Sequence, residues 1–106
     1  MKRIRVEAIN DSKLEESVII HRINTGEKEL YEILIRRNNQ KLYRVVRGYL
    51  NNPMEIEDIM QNTYLKAYEN LPRFQNNSLF STWLIRIGIN EALARIRERS
   101  KIQNVE

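Results

Sequence analysis

Aromatic rings and cations, two kinds of side chain that bind nucleic acid, are concentrated between residues 71 and 99. Phe74, Phe80 and the only tryptophan, Trp83, flank a polar loop, and arginines follow along the predicted helix after it. Aromatic faces stack on unpaired bases, each stack being worth about 1–3 kcal/mol, while cations neutralise the phosphates. This segment is therefore the candidate contact with single-stranded nucleic acid.

The candidate contacts divide by chemistry. The candidates for phosphate contacts are Arg73, Arg86 and Arg97. The candidates for contacts with base edges are Asn77, Ser78 and Asn90. A structural interpretation competes for the aromatics, because Phe80 and Trp83 at a helix start are typical of a core. Phe74 lies inside the polar loop and suits either role.

The residues offer little for catalysis. There is no cysteine, a single histidine (His21), no glycine-rich phosphate loop and no metal-binding histidine pair. No nucleophile stands at local spacing from a base. We therefore predict neither an enzyme nor a bound cofactor or metal.

Length and composition indicate one small domain of 106 residues. No apolar run approaches a membrane span, so we expect a soluble, cytoplasmic protein. The net charge is +4, and the charges are segregated. Residues 36–47 hold five cations and no acid, residues 55–58 hold three acids, and residues 95–101 hold four cations and one acid. Such segments could serve two partners or could be solvated helix faces.

The aliphatic pattern predicts an all-α fold, a compact bundle of four main helices, because three glycines and two prolines leave few turn signals for a β-sheet. Residues 1–10 show no period and are predicted to be a flexible arm before a domain spanning 11–106. A first helix capped by Asp11 or Ser12 should end near Asn24, with Gly26 in the left-handed conformation.

Two longer helices follow. The second should run from about Glu27 to Tyr49 with one buried stripe. The members of this stripe are Tyr31, Leu34, Ile35, Asn38, Leu42, Val45, Val46 and Tyr49. Asn52 can cap a third helix ending near Leu71, with Pro53 at its first position and the acids of 55–58 near its positive end.

The fourth helix carries most of the candidate contacts. Ser78 can cap it, and it should end near Arg99 or Ser100. Placing residues at about 100° intervals gives a mostly polar ridge between two apolar flanks. The ridge consists of Thr82, Arg86, Asn90, Leu93 and Arg97. The flanks consist of Ile85, Ile89, Ala92 and Ile96 on one side and Trp83, Ile87 and Ala94 on the other.

Three sequence blocks stand in a specific order between Val18 and Lys101. They are VIIHRINTGEKELYEILIRRNNQKLYRVVRGYL, EIEDIMQNTYLKAYENLPRF and FSTWLIRIGIN. In this order and spacing they resemble region 2 of bacterial RNA polymerase sigma factors, particularly the extracytoplasmic-function (ECF) type of the sigma-70 family. There the blocks are the first two helices, the helix that binds core polymerase, and the promoter-melting segment.

The resemblance implies a protein contact on the third helix. The family positions that dock on the clamp coiled coil of the large polymerase subunit correspond to Glu57, Asp58, Gln61, Asn62 and Leu65. The family usually has an acid after the glutamine, where this chain has Asn62. One polar contact with RNA polymerase core is therefore expected to be weaker.

The resemblance also implies a DNA contact around the loop of residues 74–79, where the family captures a base flipped from the non-template strand of the −10 promoter element. The implied contact residues are Arg73, Phe74, Asn76, Asn77, Ser78, Leu79, Arg86, Asn90 and Arg97. Flipping a base costs unstacking energy, which a preformed pocket offsets. The loop sequence varies in the family, so the preferred base is not implied.

The implied function is to dock on RNA polymerase core and to recognise and melt the −10 element in transcription initiation, with an anti-sigma factor as a further candidate partner and no membrane insertion. A complete factor of this type also reads the −35 element with a helix-turn-helix domain, which these residues do not supply. We therefore expect an excised domain that cannot start transcription alone. Two alternatives stay open: a basic helical module that binds DNA nonspecifically, and a protein-interaction bundle.

Overall fold

The computed structural model describes residues 15–103, and these form a bundle of four α-helices. The helices are α1 (Glu16–Asn24), α2 (Tyr31–Val46), α3 (Pro53–Asn70) and α4 (Phe80–Gln103). Short 3₁₀ helices at Lys28–Leu30 and Leu71–Arg73 precede α2 and follow α3. The described residues contain no strand, which confirms the all-α prediction. The predicted arm at 1–10 lies outside the described residues. The prediction that Asp11 or Ser12 caps the first helix is wrong, because α1 begins at Glu16 with Glu15 at the cap position.

The turn after α1 follows the sequence signals. Gly26 has φ = +122°, a left-handed conformation that glycine adopts without the strain of a side chain, as predicted. Arg22 donates two hydrogen bonds of 2.7 Å to the Glu27 carboxylate across this turn. These hydrogen bonds hold the pKa of Glu27 below its usual value. The chain then makes a 3₁₀ turn, so α2 begins at Tyr31 and not at Glu27.

The ends of the later helices differ in how well the sequence predicted them. Asn52 caps α3, because its side-chain oxygen accepts hydrogen bonds from two N–H groups of the first turn at 2.9 and 3.3 Å. The prediction that Ser78 caps the last helix is wrong, since α4 begins at Phe80 and its first turn bonds to the Leu79 carbonyl. The predicted end at Arg99 or Ser100 is also too early, because α4 continues to Gln103.

The hydrophobic core lies between α2, α3 and α4, with α1 packed on α2 and on the 3₁₀ turn after α3. Its largest fully buried side chains are Ile19, Leu30, Ile33, Leu34, Leu42, Val46, Ile59, Leu71, Phe80 and Leu84. Burying each such side chain stabilises the fold by about 1.5–3 kcal/mol relative to leaving it exposed. All four helices contribute to this core or border it, so it fixes their relative positions.

Gly88 marks the closest approach of α4 to its neighbours. A Cβ atom placed there would lie 2.7 Å from Leu42 Cδ1 of α2 and 3.6 Å from the Thr63 side chain of α3. The buried line of α4 is therefore Leu84, Gly88 and Ala92. The predicted flanks are only half-buried apart from Ala92, which is buried, and Ala94, which is exposed.

Most of the predicted α2 stripe is buried. Ile35 and Val45 are half-buried. Tyr49 is 42% exposed, because α2 ends at Val46 and the following turn carries Tyr49 out of the helical period. The fully buried Ile33 was not predicted. Asn38 satisfies its buried amide by donating a hydrogen bond of 2.7 Å to the Leu34 carbonyl one turn back.

Candidate nucleic-acid interface

Three aromatic side chains form a cluster beneath the loop between α3 and α4. The ring centroid of Phe74 lies 4.9 Å from that of Trp83 and 6.1 Å from that of Phe80, and the last two are 5.8 Å apart. Phe80 is 2% exposed and Phe74 is 9% exposed, whereas Trp83 is half-buried. The core interpretation of Phe80 is thus confirmed. Although Phe74 lies in a polar loop, its ring is covered by its neighbours and does not present a free face for base stacking.

The loop from Gln75 to Leu79 is exposed above this cluster. Asn76 has φ = +57°, a left-handed conformation that asparagine adopts more readily than most residues. The amide and hydroxyl side chains of the loop supply both donors and acceptors for base edges. A cavity of about 330 Å³ separates the loop from the first turn of α1. Among its lining residues are Glu16, Ser17, Ile20, Asn76, Ser78 and Leu79.

The polar ridge of α4 is exposed as predicted, apart from the half-buried Leu93. Among the described residues, no carboxylate forms an ion pair with Arg86 or Arg97. Asn90 is exposed on the same side of the helix, one turn after Arg86. The ridge therefore presents two unneutralised guanidinium groups and one amide, starting about two turns beyond the loop.

Arg73 belongs to a groove between α3 and α4. Trp83 and Ile87 line the same groove, together with Lys66 and Asn70. Lys66 is engaged by Glu91, with 2.5 Å between Nζ and Oε2, whereas Arg73 is exposed. Arg73 and the accessible part of Trp83 thus border the same groove.

One face of α3 carries the residues predicted to bind protein. Glu57, Asp58, Gln61 and Leu65 are exposed, and Asn62 is half-buried. Leu65 is 59% exposed and Met54 is 80% exposed. Positions 54, 58, 61 and 65 lie within about 60° of one another on an α-helix. The sequence analysis missed Met54, although its spacing of four, seven and eleven residues from the other three was a usable signal.

The acids at the start of α3 pair with the end of α4. Arg95 donates a hydrogen bond of 2.5 Å to Asp58, and Arg99 donates to both carboxylate oxygens of Glu55. The hydrogen bond from Arg99 lowers the pKa of Glu55, and the bond to Asp58 raises the pKa of Arg95. The helix dipole alone therefore does not account for these acids. The basic segment 95–101 is divided, since Arg95 and Arg99 face α3 while Arg97 faces solvent on the ridge.

Metal-binding clusters and membrane spans are absent from the described part of the chain. No group of three or more histidine and acidic side chains in residues 15–103 is placed to hold a metal ion. Over the same residues no helix is long and apolar enough to cross a membrane.

These features define a small helical domain whose last helix presents a polar, basic face beside an exposed loop. The family model of Sigma-70 region 2 matches residues 34–102. The chain belongs to this family, and the resemblance found in the sequence is confirmed.

Curated relatives agree with this assignment. The chain is 34% identical over 80 residues to the ECF RNA polymerase sigma factor SigW of Bacillus subtilis, covering 76% of this chain and 43% of that protein. It is 28% identical over 87 residues to the RNA polymerase sigma-H factor of Pseudomonas aeruginosa, covering 82% of this chain and 45% of that protein. The chain thus spans less than half the length of these relatives.

A solved structure shows the same fold. The NMR structure of an engineered region 2 of sigmaE in complex with GTAAAA superposes with a TM-score of 0.78 at 28% identity, covering 88% of this chain and 97% of the other. The predicted four-helix bundle of the region 2 type is therefore confirmed.

Proposed function

We propose that this chain is a region 2 domain that docks on RNA polymerase core through α3 and captures a −10 promoter base beside α4. Family membership supports this role, as does the complex of a similar region 2 with GTAAAA. The observation that carries the proposal is the meeting of an exposed loop with an exposed ridge of unpaired arginines. Such a junction offers hydrogen-bonding groups for one base and charges for the strand on either side.

The DNA contact divides between the loop and the ridge. The loop amides and Asn90 form hydrogen bonds with the edge of an extruded base, which costs unstacking energy that these contacts offset. Arg86 and Arg97 stand about 16 Å apart along the helix, so together they reach phosphates several nucleotides apart. The buried Phe74 supports the loop from below, and the accessible part of Trp83 is available to contact a base.

The polymerase contact lies on the outward face of α3. Met54 and Leu65 provide exposed apolar area at its two ends, and Asp58 and Gln61 provide polar groups between them. A surface of this kind suits another helix, here the clamp coiled coil of the large polymerase subunit. An anti-sigma factor that silences such a domain would compete for the same face.

The DNA contact is tested by measuring affinity for a fluorescent single strand containing GTAAAA and for the matching duplex. Asn90→Ala should weaken single-strand binding about tenfold, the effect of losing one or two hydrogen bonds to a base. Arg86→Gln should also reduce the slope of log affinity against log salt by about 0.7. Equal losses on strand and duplex would argue against a base pocket.

The polymerase contact is tested by capture of core polymerase on the immobilised domain. Gln61→Ala/Leu65→Ala should abolish capture while leaving helix content unchanged. The matched control Gln40→Ala/Ile102→Ala removes an exposed amide and an exposed aliphatic side chain elsewhere and should have no effect.

The two assays also control each other. Asn90→Ala should retain polymerase capture, and Gln61→Ala/Leu65→Ala should retain single-strand binding. A variant that fails in both assays would show a folding defect, and capture that survives Gln61→Ala/Leu65→Ala would place the docking surface elsewhere.

A further inference from the structure

A second basic surface lies at the C-terminal end of α2, away from the loop. The chain has no acidic residue from position 33 to position 54. The exposed side chains there, which we call the α2 basic surface, are Lys41, Tyr43, Arg44, Arg47 and Tyr49. The two tyrosines are 44% and 42% exposed, which is high for side chains of this size. Neither the core nor the proposed base pocket uses these groups.

Four of the five members of this surface line adjoining grooves. Tyr43, Arg44 and Arg47 line one groove beside the turn into α3. The guanidinium carbon of Arg47 lies 6.0 Å from the centre of the Tyr43 ring. Arg47 and Tyr49 line the next groove, with Ile96 and Arg99 of α4 on its other side. The surface is therefore one patch at the end of the bundle where α4 finishes.

Two of the three acids at the start of α3 are already engaged, and the third, Glu57, lines a neighbouring groove with Tyr43. Glu55 is held by Arg99, and Asp58 is held by Arg95. Within residues 15–103 no carboxylate forms an ion pair with Arg44 or Arg47. The ion pairs between α3 and α4 thus keep two carboxylates from neutralising the patch, and its positive charge stays available to a ligand.

We propose that the α2 basic surface is a second nucleic-acid contact that binds the phosphates of a single strand and stacks its bases on Tyr43 and Tyr49. Exposed aromatic rings among unpaired cations are the combination that holds single strands without sequence preference. Exposed tyrosines and arginines also suit protein interfaces, and absence of shifts at residues 41–51 with (dT)12 would favour an acidic protein as the occupant.

This contact is distinct from the proposed base pocket. Arg99, which borders the patch, lies 19 positions after Phe80 and so about 28 Å further along α4. A base held in the loop and a strand held at the patch are therefore separate binding events. The inference does not depend on the proposed function, because it concerns sequence-independent binding.

The test is a ¹⁵N–¹H NMR titration of the whole chain with (dT)12 and, separately, with a 12-base-pair duplex, at several salt concentrations. We expect (dT)12 to shift the amide signals of residues 41–51 as a group of their own, apart from those of 75–90. Arg44→Gln/Arg47→Gln should abolish the shifts at 41–51 and preserve those at 75–90. Each arginine alone should reduce the salt slope of this site by about 0.7.

Lys28→Gln serves as the charge control, because it removes one exposed cation elsewhere. Lys28→Gln and every variant of the base pocket should leave the shifts that (dT)12 causes at residues 41–51 in place. Tyr49→Ala should weaken binding of (dT)12 and leave binding of the duplex unchanged. If binding of both probes is weakened, the phosphate contact belongs to duplex DNA. Absence of shifts at 41–51, shifts that persist in Arg44→Gln/Arg47→Gln, or equal losses in Lys28→Gln would overturn the proposal.

Discussion

The two halves of α4 are attached to the bundle by different chemistry. The first half is held by Phe80, Leu84 and the close approach at Gly88. The second half is held by Arg95 and Arg99, which continue the same side of the helix beyond the end of the apolar core. The opposite side of the helix is exposed along both halves, apart from the half-buried Leu93. The comparison shows that the position of an arginine around the helix, more than its charge, decides whether it pairs with α3 or faces solvent.

The two attachments should also differ in strength. Apolar burial is not screened by salt and is worth about 1.5–3 kcal/mol for each large side chain. Ion pairs at the surface are worth about 0–1 kcal/mol and are screened by salt. We therefore expect the loop end of α4 to be rigid and its C-terminal end to detach first.

The largest effect should come from the apolar half. Phe80→Ala removes a ring that is 2% exposed and contacts two other rings, so it should lower the free energy of unfolding by about 3–5 kcal/mol. Urea unfolding measures this loss. The neighbouring Leu79, 70% exposed, provides the control, since Leu79→Ala should change stability by less than about 0.5 kcal/mol. Similar losses for the two variants would mean that the aromatic cluster does not anchor the helix.

A smaller effect is expected from filling the helix crossing. Gly88→Val places methyl groups where even a Cβ would lie 2.7 Å from Leu42, and it should cost about 1–3 kcal/mol. Gly88→Val also gains a few tenths of a kcal/mol in helix propensity, which offsets part of this cost. Ala94→Val introduces the same side chain on the exposed side of the helix, without the close contact, and should cost less than about 0.7 kcal/mol. If the two variants are equally stable by urea unfolding, α4 can move away from α2 without loss.

The sequence predicted the fold through features that act locally. Hydrophobic spacing, the Asn52 cap and the turn at Gly26 each depend on neighbouring residues, and all three were confirmed. The buried line of α4 was missed because Gly88 gives no hydrophobic signal, and its importance comes from an approach by Leu42 46 positions away.

The candidate surfaces were predicted less completely, for a similar reason. The exposed ridge follows from helical spacing, so Arg86 and Asn90 could be placed on it from the sequence. The pairing of Arg95 with Asp58 joins positions 37 apart, and no local pattern indicates it. Phe74 was left open because a loop sequence does not reveal that Phe80 and Trp83 fold over its ring.

The ion-paired half of α4 should respond weakly to mutation and clearly to salt. Arg95→Ala removes the contacts to Asp58 and Glu55 and should cost less than about 1 kcal/mol, because these side chains are partly exposed. The cost should shrink further when thermal unfolding is repeated in 1 M salt. Arg97→Ala, two positions along on the solvent side, should not alter stability at either salt concentration. A loss that is unaffected by salt would mean that Arg95 acts by packing.

The smallest effect should be a loss of the Glu55 contact in acid. Arg99 holds the pKa of Glu55 below its ordinary value of 4.5, so the folded chain binds this proton less readily than the unfolded chain does. The stabilisation is therefore fully present above about pH 4.5 and is lost as the pH falls through the lowered pKa.

The pKa of Glu27 is lowered in the same way by Arg22, so the pH dependence of total stability cannot isolate Glu55. The informative quantity is the difference in unfolding free energy between the chain and Glu55→Gln, which should be constant from pH 7 to about pH 5 and should shrink towards pH 3. If that difference persists in acid, Glu55 stabilises the end of α4 through its shape or its neutral hydrogen bonds, and the two halves of the helix differ less in chemistry than the ion pairs indicate.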